Sequence, residues 1–585
     1  MSFGPEYVCG LQAALNGHLP WRVSRVEGGE SWVALRVDGE KSREACPPWF
    51  LLSWGSGGAG CCMADTPSVD FLKKSAPART PLAEALKSRF TRGRILSARQ
   101  INKDRVLEFE ASRLVAAGFE VRYFLVLEAT EPVGNLILLD EEHRIEELAR
   151  HAPPDVNPYR TLLPGHLYAP PPVFRGLSLS ETDELEFESL SRFEGIGRPL
   201  ARMIENRWAE RSPREWLAAL KSLYPDGLPP EEGLGWVAAA AYPCQRTAKG
   251  YLTRFPVVFR EAEPLGDDAL AAAREGVLRP LLAAARARLL RELDARTGRA
   301  VKARERRLDG LLKQLGNNAD AETFRRKGQL LLANAAAIPP RADRVTLTEW
   351  ESGDGKTLEI TLDPRLSPSR NAERYFRKYK KARCDPGKIQ EEIASLKGAI
   401  EELREQRDLL DSIGDPEKFE EAARDIADWI ASGTEKGTEK AKGKYPKKAR
   451  KEKARKEERL PPHLRFELDG CTVLVGLSAR GNRYVTFKQA AGDDLWLHAH
   501  EIPGAHVVIR GVKGREALAE REGVLLFAAS LAAAHSRAKD ALFVQVDYTE
   551  RRYVRSVPGP AAALVTYTNP GTIRADPKLW KEAAG

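Results

Sequence analysis

Histidine, methionine and cysteine are scarce in this 585-residue chain, with nine, three and seven copies. The cysteines (positions 9, 46, 61, 62, 244, 384 and 471) are odd in number and include no C-x-x-C pair. That excludes a zinc ribbon or dithiol redox motif and argues against a disulfide-framed secreted fold; a reducing cytosol fits best. No apolar run approaches the roughly 20 residues a bilayer-spanning helix requires. The longest candidate, "VLLFAASLAAA" over Val524–Ala534, reads as a buried helix. The opening "MSFGPEYVCG" lacks the basic start, apolar middle and small-residue site of a secretory signal, so a cytoplasmic location without a membrane partner is expected.

Charge is present in quantity but unevenly placed. The net charge is +9, yet the segment 434–459, "TEKGTEKAKGKYPKKARKEKARKEER", holds twelve Lys or Arg against five Glu and so accounts for +7 of it. With Tyr445 its only aromatic, this segment cannot bury a core. It reads either as a solvated linker or as a tether that neutralises nucleic-acid phosphates.

At about 100 to 200 residues per domain, a chain of this length predicts several units, and the composition suggests a multidomain α+β protein. Residues 1–176 read as a mixed α/β domain with strands "SWVALRV", "RVLEFEA", "VRYFLVLEA" and "NLILLD". A helix, "TPLAEALKSRFTRG", has Leu82, Ala85, Leu86 and Phe90 on one face and Gly93 as its stop. Residues 177–280 turn helical. In "LSRFEGIGRPLARMIENRW" the pattern is helix, Gly195-Ile196-Gly197 turn, helix, which fits a helix-hairpin-helix nucleic-acid module or a plain αα-corner.

Residues 281–430 predict a long antiparallel coiled-coil arm. Ile389, Ile393, Leu396, Ile400, Leu403 and Leu410 alternate at four and three, interrupted by Arg407, while Val301, Leu308, Leu311 and Leu315 form the facing seam. A hairpin, "RVTLTEW" and "TLEITL" joined through Asp354-Gly355, lies between the helices. Residues 431–461 are the basic linker. Residues 462–585 form a C-terminal α/β unit with strands "CTVLVG", "RYVTFK", "DLWLHAH", "HVVIR", a helix over 515–536, then "ALFVQVDY", "RYVRSV" and "ALVTYT".

Three of the nine histidines, His498, His500 and His506, fall within nine positions of one another beside Trp496 and Arg510. Strand alternation puts Trp496, His498 and His500 on one side and Leu495, Leu497 and Ala499 on the other, suggesting one core face and one surface face. A metal site would lack a carboxylate at suitable spacing, and acid–base catalysis would lack a nearby nucleophile. A structural cluster and an RNA-contacting face both remain open. No catalytic residue, metal or cofactor is assigned.

"DDLWLHAHEIPGAHVVIR" and "VDYTERRYVRSVPG" resemble the NFACT-R domain; "FRRKGQLLLAN" and "LDPRLSPSRNAERYFRKYKKAR" resemble the central region of the same proteins, and "INKDRVLEFE" with "YFLVLEATEPVGNLILLDEEHRI" their N-terminal domain. The chain thus resembles the NFACT family, that of bacterial RqcH (also named fibronectin-binding protein A-like) and animal NEMF, over nearly its whole length. The resemblance implies an NFACT-N domain at 1–176 and an NFACT-R domain at 462–585. It also implies binding to large ribosomal subunits obstructed by peptidyl-tRNA, with recruitment of alanyl-tRNA for untemplated C-terminal tailing of the stalled nascent chain. The partners are then tRNA, rRNA and the subunit. Because the ribosome would supply peptidyl transfer, a non-enzymatic factor is expected. By the same resemblance Asp104 and Arg105 engage tRNA, and Glu128 and Asn135 lie on the tRNA-facing surface. The chain departs from the family at "ATEPVG", where Glu131 and Pro132 replace a basic run that bears on anticodon preference, at Lys87–Phe90, and at Arg483.

Two rival classes arise. A fibronectin-binding surface adhesin would need an export signal, repeats and a wall anchor. A formamidopyrimidine-glycosylase-like DNA-binding protein would need Pro directly after Met1, where Ser2 stands, and a four-cysteine zinc finger.

Overall fold

A computed structural model of the chain describes residues 2–39, 47–75, 79–115, 118–130, 134–224, 242–348, 357–383, 385–435, 460–511, 521–557 and 564–584. They form two compact units, Met1–Leu290 and Arg291–Gly585.

The first unit opens with β1 (Ser2–Phe3) and α1 (Pro5–His18). One meander follows, β2 (Trp21–Gly28), β3 (Trp32–Gly39), β4 (Trp49–Ser53) and β5 (Gly60–Ala64), then α2 (Thr66–Ser75) and α3 (Pro81–Phe90). A second meander comprises β6 (Arg94–Gln100), β7 (Val106–Leu114), β8 (Glu120–Glu128), β9 (Asn135–Leu139) and β10 (Ile145–Leu148). They join through β2 and β6 into a nine-stranded antiparallel sheet ordered β10-β9-β8-β7-β6-β2-β3-β4-β5. Leu82, Leu86 and Phe90 are buried on α3, as their helical spacing predicts. Thr80 caps the helix through Ala83 N–H at 3.2 Å. The left-handed residue after it is Arg92 (φ 67°) rather than Gly93.

Beyond the sheet, a 3₁₀ turn at Phe187–Arg192 leads to α4 (Arg198–Asn206) and α5 (Pro213–Lys221). The 177–280 stretch is less helical than its sequence suggests. It holds β11 (Cys244–Thr247), β12 (Tyr251–Arg254) and β13 (Ala262–Pro264) before α6 (Ala269–Gly276). These strands are too short to show alternation, and β1, from the other end of the unit, pairs in parallel with β12.

α7 (Leu278–Ala333) is longer than the helix predicted from the seam. The second unit continues with β14 (Arg344–Thr348), β15 (Thr357–Thr361), α8 (Pro368–Ala382), α9 (Pro386–Ser412) and α10 (Pro416–Glu435). β14 and β15 pair antiparallel; the Asp354-Gly355 turn lies outside the described residues, as does most of the basic linker. Leu308, Leu311 and Leu315 of α7 meet Ile389, Ile393 and Leu396 of α9 in the predicted seam. Arg407, which interrupts it, pairs with Asp294 of α7 and Asp411 of its own helix, each at 2.5 Å.

The C-terminal sheet contains β16 (His463–Leu468), β17 (Cys471–Gly476), β18 (Leu495–Ala499), β19 (Val507–Arg510), β20 (Val544–Glu550) and β23 (Gly571–Ala575), ordered β16-β17-β19-β18-β20-β23 and antiparallel throughout. The hairpin β21 (Val554–Ser556) and β22 (Val565–Tyr567) is a separate two-stranded sheet packed against it. "RYVTFK" is helical instead of a strand: α11 (Ala479–Tyr484) runs into a π turn at Val485–Gln489. Ser478 starts it by accepting Gly481 N–H at 3.0 Å. α12 (Glu522–Ala534) is the buried apolar helix.

This sheet domain is docked on the base of the arm. Gln406 Oε1 accepts Ala479 N–H at 2.7 Å, and Asp425 accepts from the Ser478 hydroxyl at 2.7 Å and from Arg480 at 2.8 Å. Lys539 donates to the Asp411 carbonyl at 2.9 Å. The basic segment therefore connects parts that already share an interface.

Candidate nucleic-acid interface

Asp104 and Arg105 end the tight turn between β6 and β7, where Asn102 and Lys103 both take left-handed backbone (φ 54° and 47°). Gln100 holds this turn: its Nε2 donates to the carbonyls of Asp104 (2.8 Å) and Pro5 (2.9 Å). The Asp104 carboxylate accepts Arg105 N–H at 2.7 Å, and its distance to the Arg105 guanidinium is 3.6 Å. Both side chains are about one-third exposed, so each keeps hydrogen-bonding capacity facing outward.

The Gly195-Ile196-Gly197 turn stands across from them. Together they line one cleft of about 1420 Å³, with Lys103, Arg105, Arg175, Arg192, Arg198 and Arg202 against only Asp104 and Glu205. Residues more than ninety positions apart thus meet in a basic groove. The glycines themselves serve packing: a Cβ at Gly197 would collide with the Tyr251 hydroxyl, and one at Gly195 (φ 75°) with the Tyr224 ring. Gly197 N–H donates to Glu6 at 3.3 Å, and Gly195 C=O accepts from Tyr224 at 2.8 Å. The anion-binding capacity of the module therefore lies in the arginines of α4 more than in the turn amides.

Glu6, behind the cleft-lining Gly197 and Tyr251, is buried and also accepts from Tyr251 (2.8 Å) and Thr253 (2.7 Å). Burial raises its pKa, and these donors oppose the rise.

Glu128 and Asn135 are not available to a tRNA. They are register partners on β8 and β9, with 2% and 4% exposure. Glu128 takes a bidentate Arg160 at 2.6 and 2.7 Å and the Tyr168 hydroxyl at 2.9 Å. Asn135 bonds both backbone groups of Arg150 at 2.9 and 3.0 Å. Their acceptors and donors fasten the 150–168 strap to the sheet, which corrects the surface role expected from the resemblance. Glu131 and Pro132 lie outside the described residues.

The histidine cluster is likewise divided by the fold. β18 is an interior strand covered on both faces, so Trp496 is fully buried among Leu474, Val485, Val508 and Val554. His506 is buried too, with Nδ1 2.8 Å from the Thr486 hydroxyl. The His498 ring, part-exposed as a residue, is enclosed between Trp496 (5.6 Å, stacked) and His506 (5.5 Å, edge-on). Burial lowers the pKa of His498 to about 4 and that of His506 well below the usual value. Arg510 is opposite the far end of β18 and lies 4.0 Å from Asp494. Neither Trp496 nor His506 can stack on RNA, because each is core.

Of the three histidines, His500 is the one whose ring stands clear of the core, with its side chain 42% exposed. Its Nδ1 lies 2.7 Å from Asp547, which is buried and absent from the sequence reading. A single Asp inside the apolar run "FVQVDY" was the available signal.

Among the described residues no three His, Cys, Asp or Glu side chains are grouped to hold a metal ion, and no helix is long and apolar enough to cross a membrane. The five described cysteines are buried, and burial raises the thiols of Cys9 and Cys244 to about 11 and that of Cys62 to about 12, a poor setting for nucleophiles.

Comparison with known proteins adds the family. The family model described as NFACT N-terminal and middle domains matches residues 35–209 and 279–445. A Streptococcus suis protein named Rqc2 homolog RqcH is 30% identical over 493 residues, covering 82% of each chain. The Bacillus subtilis protein of that name is 29% identical over 503 residues, covering 83% of each. Among solved structures, the C-terminal part of a fibronectin/fibrinogen-binding protein from Streptococcus suis is 26% identical, covers 50% of this chain and 95% of its own, and has a TM-score of 0.31, too low to carry an argument. With a family match over more than half of its residues and a relative 30% identical along most of its length, the chain belongs to the NFACT family.

Proposed function

We propose that this protein is a cytoplasmic ribosome-associated quality control factor that binds obstructed large ribosomal subunits carrying peptidyl-tRNA and recruits tRNA, alanyl-tRNA expected, for untemplated C-terminal tailing of the stalled chain. The observation that carries the reading is the cleft of the first unit, where the part-exposed Asp104–Arg105 pair and the arginines of α4 converge. Phosphate contacts by Arg and Lys fix a nucleic acid in register, while a carboxylate beside a guanidinium can read a base edge. The names of the two relatives, each matched over more than four-fifths of both chains, point to the same process. On this reading the protein is not an enzyme; peptidyl transfer belongs to the ribosome.

The test is recovery of tRNA and of large subunits with the tagged protein from cells. Asp104→Ala with Arg105→Ala is expected to abolish tRNA recovery and leave subunit recovery intact. Unchanged tRNA recovery sinks the assignment. Joint loss together with a lowered melting temperature signals misfolding, and then Arg198→Gln with Arg202→Gln, on the exposed face of α4, supplies the deciding measurement.

A further inference from the structure

Asp547 is the observation the cleft does not absorb. It is a buried carboxylate in the middle of β20, and three side chains donate to it: His500 through Nδ1 (2.7 Å), Tyr567 (2.7 Å) and Thr572 (2.6 Å). Removing a carboxylate from water costs several kcal/mol, and apolar residues fill such a position at no such cost. What the carboxylate secures is the orientation of an imidazole that is itself 42% exposed. With Nδ1–H donated inward to Asp547, Nε2 on the far side of the ring faces outward, an acceptor in the neutral imidazole and a donor once the ring is protonated.

The register extends this point into a strip. His500 N–H donates to the Gln545 carbonyl at 2.9 Å, and Gln545 pairs with Arg574 on the edge strand β23. Residues opposite one another in an antiparallel sheet share a face, so His500, Gln545 and Arg574 stand in a row across adjacent chain segments. Gln545 and Arg574 are exposed. The Arg574 guanidinium lies over the half-exposed Phe543 ring, 3.9 Å from its centroid. Such a stack presents a flat cationic plate, which suits an unstacked base and is of no use to a duplex whose bases are covered.

We propose that His500, Gln545 and the Arg574–Phe543 stack form a site for a single-stranded polynucleotide, with a backbone phosphate on His500 Nε2 and a base against Arg574. The site lies wholly in the second unit and does not rest on the cleft reading. An acidic peptide would also satisfy two cations, but it gains nothing from the plate of Arg574 on Phe543. The groups facing His500 are the Asp547 and Glu501 carboxylates, the enclosed His498 and the Tyr567 hydroxyl, with Arg574 beyond Gln545. Glu501 raises His500 toward its charged form, as Asp547 does more strongly.

The experiment uses the full chain carrying Asp104→Ala and Arg105→Ala, so that any binding at the cleft is suppressed. The probes are a mixed-sequence RNA of about 12 nucleotides containing 4-thiouridine and a DNA of the same sequence with 4-thiothymidine. Photo-crosslinking is expected to label the 541–551 peptide. His500→Gln and Arg574→Gln are each expected to weaken binding about tenfold, the first by loss of one hydrogen bond to a charged group and the second by loss of a stacked base. Binding by the parent should weaken as pH rises through the elevated pKa of His500, and His500→Gln should lack that component. Preference for RNA over DNA would assign the natural ligand to RNA; equal binding would leave the single-stranded site intact with no 2′-hydroxyl readout. No crosslink in 541–551, or unchanged binding in both variants, overturns the proposal. So does protection of that peptide by poly-glutamate but not by either nucleic acid, which would transfer the site to an acidic protein partner. Both substituted side chains are exposed, and melting curves matching the parent will exclude unfolding.

Discussion

Trp496 and Asp547 show what single residues disclose and what they hide. Alternation along "DLWLHAH" is visible in the sequence, but a Trp/His face looks amphipathic whether solvent or a second layer covers it. Here the hairpin β21–β22 and the π turn supply that layer. Trp496→Ala is therefore expected to cost about 3 to 5 kcal/mol of folding stability, read by urea denaturation, while crosslinking at 541–551 persists in the folded fraction. The buried histidines add a pH signature. His535, the buried residue that ends α12, has its Nδ1 2.9 Å from the Ser412 hydroxyl. Unfolded, His498 and His535 titrate near 6.5, whereas burial lowers both to about 4 in the fold. Between those values the unfolded chain binds more protons, so their contribution to stability is complete above about 6.5 and declines as pH falls toward about 4. His500 has the opposite sign, its contribution being lost as pH rises through its elevated pKa, but its exposure makes that effect small. Urea midpoints should fall with acidity over this window, and less steeply in His535→Leu. An unchanged slope would show that His535 is not neutral in the fold.

At the scale of elements, regular periodicity was legible and long-range pairing was not. The four-three spacing of Ile389, Ile393 and Leu396 located the arm seam, because a coiled coil is specified by local repeats. The Asp104–Arg105 pair was marked by the family resemblance and not by periodicity, and its place in a tight turn emerged only in the fold. Likewise, β1 and β12 are mated by tertiary structure across most of the unit, and nothing in four residues such as "YLTR" announces it. "RYVTFK" misleads for a related reason: its β-branched and aromatic residues favour a strand, yet the Ser478 cap and docking on Gln406 hold a helix. Within the arm, apolar contact outweighs charge. Leu311→Ala is expected to cost about 2 to 5 kcal/mol and to speed hydrogen exchange in α9, since Leu311 is 1% exposed. Arg407→Gln, despite two ion pairs, should cost about 1 kcal/mol or less, because the side chain is part-exposed and its partners remain solvated. Equal losses from the two substitutions would contradict this ordering.

For the whole molecule the decisive quantity is where the charge lies. A net +9 would be ordinary if spread evenly, but +7 of it belongs to 434–459 and six further cationic side chains line the cleft of the first unit. Each Lys or Arg that neutralises a phosphate releases a condensed counterion, so affinity for RNA should fall linearly in log–log form as salt rises, more steeply with more contacts. Replacing the twelve basic residues of 434–459 with Ser and Gln removes charge from a stretch that cannot bury a core. The docking of the C-terminal domain through Gln406, Asp425 and Asp411 does not depend on those residues. The variant is expected to keep the melting behaviour of the parent, to cosediment more weakly with large ribosomal subunits, and to show a shallower salt slope. The change in slope divided by about 0.7 to 0.9 counts the phosphates the segment meets. A slope that stays the same would assign 434–459 a purely connecting role and leave phosphate binding to the folded parts.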